Sequence, residues 1–227
     1  MPARLLFPDP RAASDALTFA SRAARTGDGA LRLQASGGVL RLSAGPLAPQ
    51  GLLDPTPTVL GMRAVGVDPE LVCDLVVDAT RLVATVGDPT SVDLPESAVT
   101  AAWAGISPPR TGWTRTASLL SDRLREAADR GVADVARAVP VDAGEDAVRA
   151  VRAAVWSVPV DELVGLPAGV AFAALSLGFL GDREQVRVLR SGAWTRLSLR
   201  RGHVLHKGPT RTGLTAVRTT GRGDVRG

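Results

Sequence analysis

The chain has 227 residues, of which 45% are hydrophobic and 22% are charged. This length fits one large or two small domains, and this composition excludes a disordered protein. Aromatic residues make up only 4%, with no tyrosine, which argues against a base-stacking surface for single-stranded nucleic acid.

Targeting and redox signals in the sequence predict a cytoplasmic protein without membrane contact. A single cysteine excludes a disulfide within the chain and is typical of a reducing compartment. The N-terminal MPARLLFPDP has a three-residue apolar run and does not resemble a signal peptide. The most apolar segment, residues 168–180, is shorter than the roughly 20 residues that a membrane span needs, so we expect a buried helix there.

Charge is distributed unevenly along the chain. Residues 1–182 carry 16 basic and 21 acidic side chains, whereas residues 183–227 carry 11 basic and 2 acidic ones. Of the 27 basic residues, 26 are arginine, as in proteins of bacteria with GC-rich genomes. The asymmetry suggests contact with nucleic acid or another anionic surface, but the favoured interpretation is a solvated hairpin followed by a flexible basic tail.

The first 107 residues are predicted to form one helix and an antiparallel sheet. Asp9 is suited to cap a helix over about residues 10–25, with Pro10 at its first position. Alternating leucines over residues 31–42, around Ser36-Gly37-Gly38, predict a β-hairpin, and residues 58–67 read as a strand. Residues 70–85 fit a helix or a strand, and their valines favour the strand.

Residues 106–114, ISPPRTGWT, are predicted to be a domain boundary, since two prolines and a glycine interrupt the pattern. Helices are then expected up to Pro140 and from Asp142, which begins a capping-box pattern with Glu145. A short helical turn over residues 160–167 and the buried helix follow. Three strands from Val186 to Lys207 complete a second domain over residues 115–208, and residues 209–227 are expected to be a disordered basic tail.

Residues 145–207 are predicted to form a helix, a short helix, a helix and a β-hairpin in that order. This order of elements resembles a winged-helix domain. That resemblance implies a last helix in the DNA major groove and a hairpin that contacts the DNA backbone or the minor groove. The helix in question, PAGVAFAALSLGFLGD, offers only Ser176 before Asp182, so it lacks the side chains that read bases. We therefore expect this helix to be core or interface.

The candidate contact residues for nucleic acid or another anion are the basic side chains of the hairpin, Arg187, Arg190, Arg196, Arg200, Arg201 and Lys207. Such contacts are independent of base sequence and sensitive to salt. Strand phase places Trp194, Arg196, Ser198 and Arg200 on one face, which we expect to be exposed.

No catalytic, metal or cofactor site is predicted. His203 and His206 are three residues apart on a strand and point to opposite faces, so they cannot share a metal ion. The carboxylates at Asp142, Glu145, Asp146, Asp161 and Glu162 stand at predicted helix starts, where the helix dipole explains them.

The sequence thus predicts an α+β protein: an N-terminal antiparallel sheet with one helix, then a helical cluster ending in a β-hairpin. The favoured function is a non-enzymatic interaction protein that binds a protein partner or itself, with contact through the basic hairpin. Alternatives are sequence-independent nucleic-acid binding through the C-terminal arginines and an enzyme in which a histidine meets a carboxylate.

Overall fold

A computed structural model describes residues 4–49, 51, 54 and 56–208 and shows a mixed α+β fold around one large antiparallel sheet. In this part of the chain the α-helices are α1 (Pro10–Ala23), α2 (Ser121–Ala138), α3 (Glu145–Ser157) and α4 (Gly169–Ser176).

The strands of the N-terminal half are β1 (Arg4–Leu6), β2 (Ala30–Ser36), β3 (Val39–Leu47), β4 (Thr58–Gly66), β5 (Cys73–Asp78), β6 (Val83–Ala84) and β7 (Ser91–Asp93). Those of the C-terminal half are β8 (Thr114–Leu120), β9 (Pro159–Val160), β10 (Leu166–Pro167), β11 (Gln185–Ser191), β12 (Trp194–Leu199) and β13 (Gly202–Lys207).

Both halves of the chain contribute four strands to the large sheet, whose order is β5-β2-β3-β4-β13-β12-β11-β8. All neighbours are antiparallel, and β4 and β13 join the halves at the centre. The predicted hairpin is therefore built into a continuous sheet and does not project as the wing of a winged-helix domain. The division into domains at residues 107–115 stays a prediction, and the expected tail lies outside the described residues.

Several predicted elements are confirmed with their local causes. The side chain of Asp9 accepts a hydrogen bond from the Ala12 amide at 2.9 Å and caps α1. Residues 73–78 form a strand, and a 3-10 turn follows it. The capping box at Asp142 is wrong, because α3 begins after Gly144 without a side-chain cap.

The helices pack on one face of the sheet. Helices α1 and α4 contact the central strands, and α2 lies against α4. Leucines that alternate along β2 and β3 meet this layer, and the Phe19 and Phe179 rings stack at 5.9 Å between helix and sheet. This core fixes the orientation of every strand, so the side chains of opposite phase must point to the other face.

A connecting segment covers part of that other face. Trp103 is 2% exposed and packs with Leu60, Trp194 and Leu205 of the sheet. The Trp103 indole nitrogen donates to Asp28 at 3.0 Å. The connecting segment, residues 94–113 between β7 and β8, is thus a structural cover over the sheet. The sequence predicted a domain boundary over residues 106–114, which includes only the last part of this segment.

Candidate functional site

The six predicted contact residues do not form one patch. Arg187 and Arg196 point to the face beneath the connecting segment, whereas Arg190 lies on the opposite face, opposite Thr195. Arg200 and Arg201 lie in the turn between β12 and β13, and Lys207 pairs with Trp194 at the far end. Among these residues, Arg187, Arg196 and Lys207 therefore share the face beneath the connecting segment, with Lys207 at the far end of the hairpin.

The face of the hairpin that carries Trp194, Arg196 and Ser198 is not the exposed surface that the sequence predicted. Trp194 and Ser198 are each 6% exposed. The physical reason is the connecting segment, whose Trp103 and Trp113 pack over this face. The alternation of residues along the strand correctly predicted that these side chains share one face, but it does not predict which segment covers that face.

A cleft of about 270 Å³ opens between the sheet and the connecting segment. Its floor includes Leu60, Met62 and Leu205, and its wall includes Trp103 and Trp113. Among the described residues, its lining contains no carboxylate and four arginines, which are Arg32, Arg41, Arg110 and Arg196. This arginine cleft is accordingly a concave, cationic and partly apolar surface.

Arg32 is a fixed part of this cleft. It donates to both carboxylate oxygens of Asp74, at 2.8 and 2.7 Å, and this bidentate pair raises the pKa of Arg32. The same guanidinium donates to the Ala104 carbonyl and, at 3.3 Å, to the Ser107 hydroxyl. Arg32 thus anchors the connecting segment to the sheet.

Arg196 is bound differently. Its guanidinium lies 4.6 Å from the centre of the Trp113 ring, and no carboxylate among the described residues lies within ion-pair distance of it. Its Nε atom is buried without a hydrogen-bond partner there. Burial, and then the charge of Arg187, lower the pKa of Arg196. The cleft therefore holds a partly desolvated cation without a counterion.

A row of directly paired residues crosses the sheet on the same face. From β8 to β5 its members are Ser118, Arg187, Ser198, His203, Met62, Ser43, Arg32 and Val76. Directly opposed residues of an antiparallel sheet share a face. The row places polar and cationic side chains from neighbouring strands side by side.

His203 lies in this row and is half-buried. Burial, followed by the charges of Arg196 and Arg187, lowers its pKa to about 4, so the imidazole is neutral at pH 7. Its Nδ1 atom is buried and has no hydrogen-bond partner in the described structure. His206 points to the opposite face, where burial and then Arg190 lower its pKa to about 4.

Sequence reasoning missed Arg32, Arg41 and Trp113. The alternation of Arg32 and Gln34 with leucines did place them on the polar face of β2. No pattern in the sequence shows that β2 and β12 share a sheet, so their arginines were not considered together.

Neither histidine has an Asp or Glu within ion-pair distance in the part of the chain that the structure describes. Over the same residues, no group of three or more His, Cys, Asp or Glu is placed to hold a metal ion. None of the helices described is long and apolar enough to cross a membrane.

Two domain models of unknown function match consecutive parts of the sequence. Residues 1–105 match DUF8010 and residues 108–211 match DUF8185. No curated protein sequence matches the chain.

Among solved structures, the fold is similar to bacterial sliding clamps. The DNA polymerase sliding clamp from Caulobacter crescentus is 14% identical with a TM-score of 0.47, over 98% of this chain and 70% of the clamp. A putative DNA polymerase III beta subunit from Eubacterium rectale is 8% identical with a TM-score of 0.47, over 90% and 64%. The sliding clamp from Pseudomonas aeruginosa is 12% identical with a TM-score of 0.45, over 89% and 64%. The chain thus spans about two thirds of the length of these structures.

Proposed function

We propose that the protein is a non-enzymatic interaction protein whose arginine cleft binds an acidic segment of a partner protein. The observation that carries this proposal is Arg196, a partly desolvated cation with an unpartnered Nε in a cleft without carboxylates. Desolvating a charge is costly unless an opposite charge compensates it. A carboxylate from a partner supplies that compensation and accepts a hydrogen bond from the Nε–H group of Arg196.

The lining of the cleft favours a peptide over a bare ion. Leu60, Met62 and Leu205 provide an apolar floor beside the guanidinium groups. The Trp113 indole nitrogen already donates to the Pro109 carbonyl at 3.0 Å, so this residue offers its ring face and not a donor. A segment that alternates acidic and bulky apolar side chains matches both features.

Duplex nucleic acid fits the same residues less well. The exposed arginines of the hairpin, Arg187, Arg190, Arg200 and Arg201, lie on two faces and one turn of the sheet. Backbone contacts to a duplex need basic groups along one accessible surface. The cleft of about 270 Å³, in which Arg32, Arg41 and Arg196 are half-buried, does not provide such a surface.

The test uses a capped peptide of alternating glutamate and leucine, with the matching glutamine and leucine peptide as the neutral control. Binding is measured by calorimetry and by tryptophan fluorescence. We expect Arg196→Ala and Arg41→Ala each to weaken binding about ten-fold, or about 1.4 kcal/mol. Arg123→Ala serves as the matched control, because Arg123 pairs with Glu126 on the exposed side of α2.

Two outcomes contradict the proposal. Equal binding of both peptides removes the charge requirement. The second outcome is that a DNA duplex of about 20 base pairs binds more tightly than the acidic peptide. If that binding is lost in the Arg200→Ala/Arg201→Ala double variant and kept in Arg196→Ala, the result supports nucleic-acid binding by the hairpin instead.

A further inference from the structure

We infer that Arg187, Ser198 and His203, together with Arg196, form a binding site for a phosphate group beside the arginine cleft. This phosphate site goes beyond the proposed peptide cleft, which it adjoins at Arg196. It takes a doubly charged tetrahedral oxyanion, as free phosphate or as a phosphate monoester.

The first argument is the register of the strands. Arg187, Ser198 and His203 are directly paired across β11, β12 and β13. Arg196 is opposite Leu205, two residues along the strand from His203, and such diagonal neighbours are about 7–8 Å apart. An arginine side chain is long enough to span that distance. The register therefore places the four residues so that their side chains can be directed to one point on this face of the sheet.

The second argument is the set of free donors. Arg196 Nε and His203 Nδ1 are both buried without partners in the described structure, which is rare for polar atoms in folded proteins. An imidazole with a proton on Nδ1 donates one hydrogen bond, and a guanidinium donates several in a fixed plane. Because both atoms are buried, an oxyanion accepts hydrogen bonds from them only after the long Arg196 side chain turns away from Trp113.

The third argument is the local charge. Arg196 and Arg187 face His203 from β12 and β11, and the neighbour on β4 is Met62, which carries no charge. The aligned residues of the row include no aspartate or glutamate. Two guanidinium groups that have no ion-pair partner in the described part of the chain match the charge of a phosphate dianion, and arginine binds phosphate with bidentate geometry.

A bound dianion must also change the protonation of His203. The pKa of this imidazole is now about 4, in part because of the two arginine charges. A negative charge placed among these groups opposes that effect and stabilises the imidazolium form. Anion binding is therefore coupled to proton uptake by His203.

The chain contains its own internal control, since His203 and His206 are its two histidines and lie on opposite faces. Both rings are followed by NMR while inorganic phosphate is added at pH 7.5 and constant ionic strength. We expect the His203 signals to shift and saturate while the His206 signals stay unchanged. In saturating sulfate, which remains a dianion, the proton affinity of His203 is expected to rise about ten-fold.

Matched variants locate the anion. Arg187→Ala is expected to weaken phosphate binding about ten-fold, whereas Arg190→Ala, on the same strand but the opposite face, leaves it unchanged.

Equal shifts of both histidines, or none, overturn the phosphate site. A loss on Arg41→Ala as large as that on Arg187→Ala also overturns it, by placing the anion in the cleft. If the acidic peptide binds but added phosphate does not shift the His203 signals, the phosphate site is rejected and the proposed function stands. If phosphate binds at His203 but the peptide does not bind, only the proposed function is rejected.

Discussion

The guanidinium group of Arg196 lies 4.6 Å from the centre of the Trp113 ring. This contact joins the C-terminal hairpin to the segment that connects the two halves of the chain. A cation above an indole face is attracted by about 0.5–1 kcal/mol at exposed sites. That attraction holds the arginine in place, but it does not replace the hydrogen bonds and the counterion that burial removes.

Replacement of Arg196 by methionine is expected to leave the protein as stable or to stabilise it by up to about 1 kcal/mol. Methionine keeps the packing against Trp113 and removes a desolvated, unpaired charge. Urea unfolding at pH 7 measures the change, with Trp113→Ala as the destabilising comparison. A loss above about 2 kcal/mol shows instead that the charge itself stabilises the fold. A stable variant that no longer binds the acidic peptide indicates that the charge is kept for binding at some cost in stability.

The two histidines predict a loss of stability on mild acidification. Their pKa values in the folded protein are about 4, whereas an unfolded histidine has a pKa of about 6.5. Between these values the unfolded chain binds more protons, so the free energy of unfolding falls as pH falls. Each histidine contributes a slope of up to about 1.4 kcal/mol per pH unit between pH 6 and 4.

Unfolding curves measured from pH 7 to 4 test this dependence. His203→Gln and His206→Gln are each expected to flatten the slope, and the double variant is expected to remove most of it. If the double variant loses stability as steeply as the parent, other groups carry the pH dependence.

Gly131 predicts a sharp packing limit on α2. A Cβ atom at this position meets the six-membered ring of Trp156, which is 2% exposed and stacks on Phe172 at 4.7 Å. Gly131→Ala is therefore expected to destabilise the protein by about 1–3 kcal/mol through overpacking, although alanine favours helices. Gly105→Ala is the control, because a Cβ atom there has no neighbour within 4 Å. A stabilised Gly131→Ala variant in thermal unfolding contradicts the close contact.

Sequence patterns predicted the local elements well because their causes are local. The Asp9-Pro10 start of α1, the Ser36-Gly37-Gly38 turn and the leucine alternation of β2 and β3 each act within a few residues. Residues 73–78 form a strand as their valines indicated, although the spacing of apolar residues in this segment also fits one face of a helix. Tertiary pairing with β2 decides between the two conformations.

The candidate site was only partly predictable because it depends on contacts between distant segments. Arg196 and Arg187 were among the predicted contact residues. Strand phase grouped Arg196 with Trp194 and Ser198, but on a face that was predicted to be exposed and is covered. Arg32 pairs with Asp74, 42 residues away, and its guanidinium reaches the Ala104 carbonyl, 72 residues away. Neither the order of the eight strands nor the cover formed by the connecting segment follows from periodicity.

The ion pair between Arg32 and Asp74 predicts how the cleft responds to acid and salt. The hydrogen bond from Arg32 lowers the pKa of Asp74 below its usual 3.8. The pair therefore stabilises the fold above about pH 4, and the contribution is lost as pH falls through the folded pKa. Since the Asp74 side chain is 52% exposed, we expect the loss to be below about 1 kcal/mol.

Asp74→Asn is expected to loosen the connecting segment more than the fold as a whole, because Arg32 also donates to Ala104 and Ser107. Hydrogen exchange at the Ala104 and Ile106 amides, which bond to Ala101 and Trp103, should become faster. Exchange in β2 and β3 should change little. The difference between variant and parent should shrink in about 1 M salt, where surface charges are screened. Asp134→Asn is the matched control, since its ion pair with Arg137 lies within α2. Unchanged exchange in the connecting segment would show that Trp103 packing alone holds the cover over the cleft.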